Sequence, residues 1–94
     1  MQRVVVVYDI VNNKRRRKVS EALEAYGKRV NRSVFECILK DRKRRDSLEN
    51  ELQELIDKRV DSIRLYMVCD KCLSKSSVIG DEPMPFDGEA VYFF

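Results

Sequence analysis

This chain places its apolar patterns in the order strand, helix, extended segment, helix, strand. That order predicts an α+β domain, with two helices packed on one face of a mostly antiparallel sheet. Two amphipathic stripes of helical period supply the helices. The valines at 4–7 supply a strand that is apolar toward both sides. With 94 residues the chain makes one small domain, because a split would leave neither half a workable core.

Val4, Val5, Val6, Val7 and Tyr8 form a short β-branched run, the pattern of a central strand. Asp9 closes it, and Asn12 and Asn13 bring turn and helix-capping chemistry. Val19, Ala22, Leu23 and Tyr26 recur at i, i+3, i+4 and i+7, so a first helix is predicted over 13–26 with Gly27 as its C-terminal stop. Residues 29–39 read as one extended segment. Ser33, Phe35, Cys37 and Leu39 share one face, and Val30, Arg32, Val34, Glu36 and Ile38 the other. Asp46, Ser47, Leu48 and Glu49 resemble a capping box, and Leu48, Leu52, Leu55 and Ile56 carry a second helix to about Arg59. Residues 62–69 form a further strand, with Ile63, Leu65 and Met67 on one side and Arg64, Tyr66 and Val68 on the other. The remainder holds Gly80, Pro83, Pro85 and Gly88 and reads as a loop ending in a short strand at 90–94. The domain is therefore placed at 1–77 and a tail at 78–94.

A sheet with helices on one face leaves the other bare, yet residues 4–7, Tyr66 and Val68 put apolar surface there too. A second copy of the chain is the simplest cover, and the apolar C-terminal strand would add to a partner's sheet edge. A homodimer is expected.

Charge and composition narrow the function. The net charge of +3 conceals an asymmetry: residues 14–45 carry 13 Lys or Arg against 4 Asp or Glu, and the rest of the chain 6 against 12. A basic first half attracts phosphate backbones, while a solvated helix face is the plainer reading. A histidine count of zero removes His-based acid–base pairs, Ser-His-Asp and Cys-His nucleophiles and His-ligated zinc. Any hydrolysis must run on carboxylates, a hard metal ion, tyrosine or basic side chains. No apolar run approaches the roughly 20 residues of a membrane helix, and the first residues lack the pattern of a secretory signal, so a cytoplasmic protein without membrane contact is expected. Three cysteines outside a secretory context make no disulfide framework. Cys69 and Cys72 form a lone CxxC. One protomer supplies too few ligands for zinc and no visible helix start for a redox pair, which leaves a four-cysteine set only across a dimer.

Asp9 is the candidate centre. A carboxylate that ends a buried strand before a turn into a helix sits where such sheets expose functional groups. One carboxylate is too few for a two-metal site, but a two-fold axis would bring two copies of Asp9 around one shared Mg2+, which accepts one or two carboxylates and keeps its waters. The alternative is an aspartate that only caps the following amides. Lys14, Arg15, Arg16, Arg17 and Lys18 cover every side of the first helix, so some project beside the strand's end. With Lys28, Arg29 and Arg32 they form a candidate phosphate-binding band. No glycine-rich phosphate loop is present, and stacking residues near the band are sparse, which favours backbone recognition over base reading. Phe35 has the alternating placement of a core aromatic.

Asp9 after its apolar strand, the Arg-rich first helix, the stretch from Tyr26 through Gly27, Lys28, Arg29, Val30, Asn31, Arg32, Ser33, Val34, Phe35 and Glu36 to Cys37, and the stretch Asp61, Ser62, Ile63, Arg64, Leu65, Tyr66 together resemble one family. It is the small CRISPR-associated endoribonuclease family, whose members accompany the spacer-acquisition integrase. The resemblance runs from about Val4 to Met67. It implies a ferredoxin-like βαββαβ sandwich with an extra C-terminal strand joined to the partner, its second sheet face buried in a symmetric dimer, and hence two strands within 29–39. It further implies that Asp9 of each protomer holds one Mg2+, and that Arg16, Arg29, Ser33 and Phe35 match positions associated with nuclease activity. Where some relatives carry a second arginine two residues beyond Arg16 this chain has Lys18, which keeps the charge but loses bidentate phosphate geometry. Two functions follow from the resemblance: a metal-dependent nuclease on single-stranded RNA or duplex DNA, and a non-catalytic adaptor that holds duplex DNA between integrase dimers. The acidic tail after Ser77 is the expected integrase contact.

Overall fold

The structure, a computed structural model, describes residues 1–86. The expected strand at 90–94 lies outside them. The elements are β1 (Gln2–Asp9), α1 (Asn13–Glu24), β2 (Gly27–Asn31), β3 (Val34–Leu39), α2 (Arg42–Leu55), β4 (Ser62–Val68) and a short α3 (Asp70–Lys75). The strands form one sheet in the order β2-β3-β1-β4, every neighbour antiparallel. This is the expected ferredoxin-like α+β arrangement.

Alternation along the strands explains the layering. Val4, Val6 and Tyr8 of β1 and Phe35, Cys37 and Leu39 of β3 point to one face and are buried there against Val19 and Leu23 of α1 and Leu48 and Leu52 of α2. Val5, Val7, Val34 and Ile38 occupy the opposite face and are half-buried. Part of that face is covered by the chain itself, because the Phe86 amide donates to Glu36 Oε1 at 2.5 Å and Phe86 is buried. Ile63 and Leu65 of β4 pack against the core as expected, whereas Met67 near the end of this edge strand is 46% exposed, as is Tyr66 at 50%.

Several boundaries differ from the sequence reading. Residues 29–39 are two strands, because the chain turns at Arg32 and Ser33 and β3 folds back on β2. Helix α1 ends at Glu24, two residues short of Tyr26. Gly27 is therefore no helix stop. It is the first residue of β2, where a Cβ would meet the Glu36 carbonyl oxygen at 2.1 Å and Cys37 Cα at 2.6 Å. Helix α2 starts earlier than its apolar stripe, with Asp41 as N-cap accepting from the Arg44 amide at 2.8 Å, so the capping box expected at 46–49 is inside the helix. It also ends earlier, at Leu55 instead of Arg59. Residues 70–75, expected as loop, form α3, and Cys69 is its N-cap, so the CxxC does stand at a helix start. Six residues are too few for an apolar period to show.

Both long helices begin with lysines and arginines, and neither has an acidic residue in its first turn. Asn12 caps α1, its Oδ1 accepting from the Arg15 amide at 2.9 Å. The pairing of Gln2 with Leu39 and of Val7 with Val34 sets the starts of α1 and α2 at opposite ends of the sheet. No helix of the described residues is long and apolar enough to cross a membrane.

Gly27→Ala is expected to lower the stability of the fold by about 2 kcal/mol or more, because a methyl group there collides with backbone instead of a movable side chain. Urea denaturation followed by circular dichroism reads the loss. A variant as stable as the parent would show that β2 can shift away from β3 at little cost.

A candidate nucleic-acid and metal site at the end of the central strand

Three turns meet where β1 ends. Asp9 pairs with Ser62 at the start of β4, and the Tyr8 amide donates to the Ser33 carbonyl at 3.0 Å just before β3. The turns before α1, before β3 and before β4 therefore share one edge of the sheet. Asp9 itself is exposed. Capping of α1 belongs to Asn12, and the Asp9 carboxylate makes no hydrogen bond or ion pair with another of the described residues.

Asp61 ties two of these turns together. Its side chain is fully buried. It accepts from the Val11 amide at 3.1 Å, the Asp57 amide at 2.9 Å and Arg15 Nε at 2.7 Å. The Arg15 guanidinium above all, helped by the two amides, holds the Asp61 carboxyl down to about 2. The turn that carries the chain away from Asp9 is thereby fastened to the turn that leads into β4. Sequence analysis assigned Asp61 no role. A loop carboxylate between charged residues carries no periodicity, and only the fold shows that its partners converge.

The arginines of the band part company here. Arg15 turns to Asp61. Arg16 folds back over the β1–α1 turn, its Nε and Nη2 donating to the Ile10 carbonyl at 3.2 and 2.9 Å and its Nη1 to Asn13 Oδ1 at 2.6 Å. Arg29 reaches from β2 across the buried Phe35, its guanidinium carbon 5.5 Å from the ring centroid, and donates to Ser20 Oγ. Arg32 sits in the β2–β3 turn, where its carbonyl accepts from the Tyr8 hydroxyl at 3.1 Å. Asp9, Ile10, Arg16, Arg29, Arg32 and Ser33 line one open depression of about 520 Å³. A neighbouring depression of about 350 Å³ adds Arg17 and Ser20 while sharing Arg16, Arg29 and Arg32.

Lys14 and Lys18 are exposed but line neither depression, and Lys28 lines another, with Glu36 and the 78–85 segment. Phe35 is wholly buried and lies behind Arg29 instead of lining the depression.

The donor set bears directly on a cation. Among the described residues, no three Asp, Glu, Cys or His side chains come together in a metal-binding group. The depression sets a single carboxylate among three guanidinium groups, an arrangement that attracts phosphate and repels a cation. One protomer alone does not fit Mg2+. A second copy's Asp9 would add the second carboxylate that Mg2+ accepts while it keeps several waters.

Comparison with known proteins agrees with this architecture. The family model for CRISPR associated protein Cas2 matches residues 1–76. A CRISPR-associated endoribonuclease Cas2 of Chloroflexus aurantiacus is 39% identical over 89 residues, covering 94% of this chain and 95% of its own. A CRISPR-associated endonuclease Cas2 of Halalkalibacterium halodurans is 41% identical over 85 residues, covering 85% and 88%. Among solved structures, a chain of a partial Cas6-RT-Cas1–Cas2 complex superposes with a TM-score of 0.75 at 32% identity, covering 84% of this chain and 85% of that one.

The depressed Asp61 carboxyl has a definite pH signature. A folded-state value below the ordinary carboxylate value contributes stability that is present above about pH 4 and lost as pH falls through the folded value, here about 2. Acid titration followed by circular dichroism is expected to show a destabilising limb across that window. Asp61→Asn should flatten this limb and weaken the fold at neutral pH. An acid limb unchanged in Asp61→Asn would remove Asp61 as its source.

Proposed function

The chain belongs to the CRISPR-associated Cas2 family, and from that premise we propose that it is a metal-dependent endonuclease of the spacer-acquisition stage of antiviral defence. It acts in the cytoplasm as a homodimer, on single-stranded RNA or duplex DNA. The observation that carries this reading is the exposed Asp9 carboxylate at the end of the buried central strand, in one depression with Arg29, Arg32 and Ser33.

Asp9 of each protomer would hold one Mg2+ between them. When bound, the ion supplies a polarised phosphoryl oxygen and a water of lowered pKa. The chain's own residues do the rest. Arg29, its face on Phe35 and one amino group on Ser20, presents its remaining donors to a phosphate. Arg32 adds a second guanidinium from the turn that Tyr8 holds. Ser33 offers a hydroxyl beside them. Arg16 fixes the Ile10 carbonyl and so the exit of the chain from Asp9. Phe35, out of reach of a substrate, acts as a positioning residue through Arg29. Lys14, Arg17, Lys18 and Lys28 extend the positive surface along the nucleic-acid backbone without base reading. The half-buried Val5, Val7, Val34 and Ile38 with the exposed Tyr66 supply the apolar sheet face for the second copy. Residues 78–94 complete the dimer or contact the integrase. Gel filtration of a chain lacking 81–94 tests that placement, and recovery of an intact integrase complex would refute the integrase contact.

One feature favours a second reading, a non-catalytic adaptor that bridges integrase dimers on duplex DNA. Three guanidinium groups around one carboxylate bind phosphate without any metal, and the resemblance to a chain of a Cas1–Cas2 complex is consistent with such a role.

Cleavage of labelled single-stranded RNA and duplex DNA, with Mg2+ or chelator, separates the two. Asp9→Asn keeps size and removes the charge a metal requires, and the nuclease reading expects a loss of about 100-fold or more. Equal activity in Asp9→Asn would defeat it, and duplex binding without cleavage in both proteins would make the adaptor the better reading. Arg29→Ala and Arg32→Ala are each expected to weaken binding and to lower its salt dependence by about one released counterion.

A further inference from the structure

Cys69 and Cys72 take no part in the site at the end of β1. Both are exposed. Their sulfurs lie 3.2 Å apart, and the Cys72 amide lies 3.4 Å from Cys69 Sγ with its N–H donated to it. A disulfide needs about 2.05 Å, so a shift of about 1 Å within one turn of chain closes the pair. Asp70, between them, is ion-paired with Arg3 of β1, whose side chain is only 10% exposed, so this turn is anchored to the sheet. The described residues gather no third ligand for a soft metal around the pair. The remaining cysteine provides an internal contrast: Cys37 is wholly buried, and desolvation pushes its thiol up to about 12.

We propose that Cys69 and Cys72 form a thiol–disulfide exchange site whose co-substrate is an external disulfide. The Cys69 thiolate attacks one sulfur of that disulfide. The external S–S bond breaks, and its other half leaves as a thiolate that takes up a proton. Cys72 then loses its proton to solvent and attacks Cys69 Sγ. The mixed S–S bond breaks, and the second external thiol departs. Two protein thiols are oxidised by two electrons, and one external disulfide is reduced to two thiols. The order of attack follows from the contacts: the Cys72 amide and then its thiol hold Cys69 below the ordinary thiol value, while the same contact raises Cys72. Closure fixes the first turn of α3, and with it the point from which residues 76–86 return to Glu36 on β3.

The test uses the full chain, reduced and then exposed to oxidised glutathione, quenched by alkylation and mapped by peptide mass. The expected product is the intramolecular Cys69–Cys72 disulfide, with Cys37 alkylated only after unfolding. Cys72→Ser should stall as a glutathione adduct on Cys69, and Cys69→Ser should react at least about 10-fold more slowly. Amides 72–75 should exchange hydrogen more slowly in the oxidised protein. Both thiols staying free, disulfides forming mainly between chains, or equal adduct rates in the two variants would each overturn the proposal. The readout is mass and exchange, so it is independent of any nuclease activity.

Discussion

A carboxylate without solvent has to be fully satisfied, and Asp61 meets that constraint with two backbone amides and one guanidinium. Its partners come from the turn after α2, four residues away, and from the turn after β1 and the first turn of α1, 50 and 46 residues away in sequence. No apolar contact does the same work, because these turns carry backbone polar groups that need acceptors. The position of Asp9, one residue before Ile10 and two before Val11, is set by this clamp together with the hold of Arg16 on the Ile10 carbonyl. An exposed side chain thus stands on a rigid base, which is what a binding residue requires.

The layering has a second consequence for the same edge. Because β1 is central, with β3 on one side and β4 on the other, its last residue is flanked by the start of both neighbours. The β2–β3 hairpin then brings Arg29 and Arg32 alongside it. A slip of one residue between β1 and β3 would turn Phe35 and Cys37 outward and carry the hairpin's Arg29 and Arg32 out of line with Asp9. Core packing and site geometry therefore rest on one register.

Legibility in the sequence followed periodicity. The two helices, the central strand and the inward set Phe35, Cys37 and Leu39 were all visible because apolar residues repeat there at 3.6 or 2. The hairpin within 29–39 was not visible from alternation, since Arg32 and Ser33 keep the alternating pattern through the turn. Only the resemblance to a family separated the two strands. Asp9, Arg29, Arg32 and Ser33 could be named in advance, and the fold brings them to one depression. Their division of labour could not be named. That Arg15 serves Asp61 depends on a separation of 46 residues, and that Arg16 serves a carbonyl and Phe35 lies under Arg29 depends on side-chain direction, which the apolar period does not encode. Gly27 shows the converse. A glycine after a helical stripe suggests a helix end, yet what demands it is the closeness of the β3 backbone.

The basic openings of α1 and α2 place positive charge at the positive ends of two helix dipoles. Each such charge works against its helix by a few tenths of a kcal/mol, opposed by the caps Asn12 and Asp41 and by the pairing of Arg15 with Asp61. The helices are consequently held by their apolar stripes against their own electrostatics. Any polyanion that settles on these ends removes part of that repulsion and stabilises the folded chain by mass action. Heat resistance and ionic strength are thereby coupled in this molecule: added salt screens the same repulsion at the helix starts and, to that extent, tightens the fold.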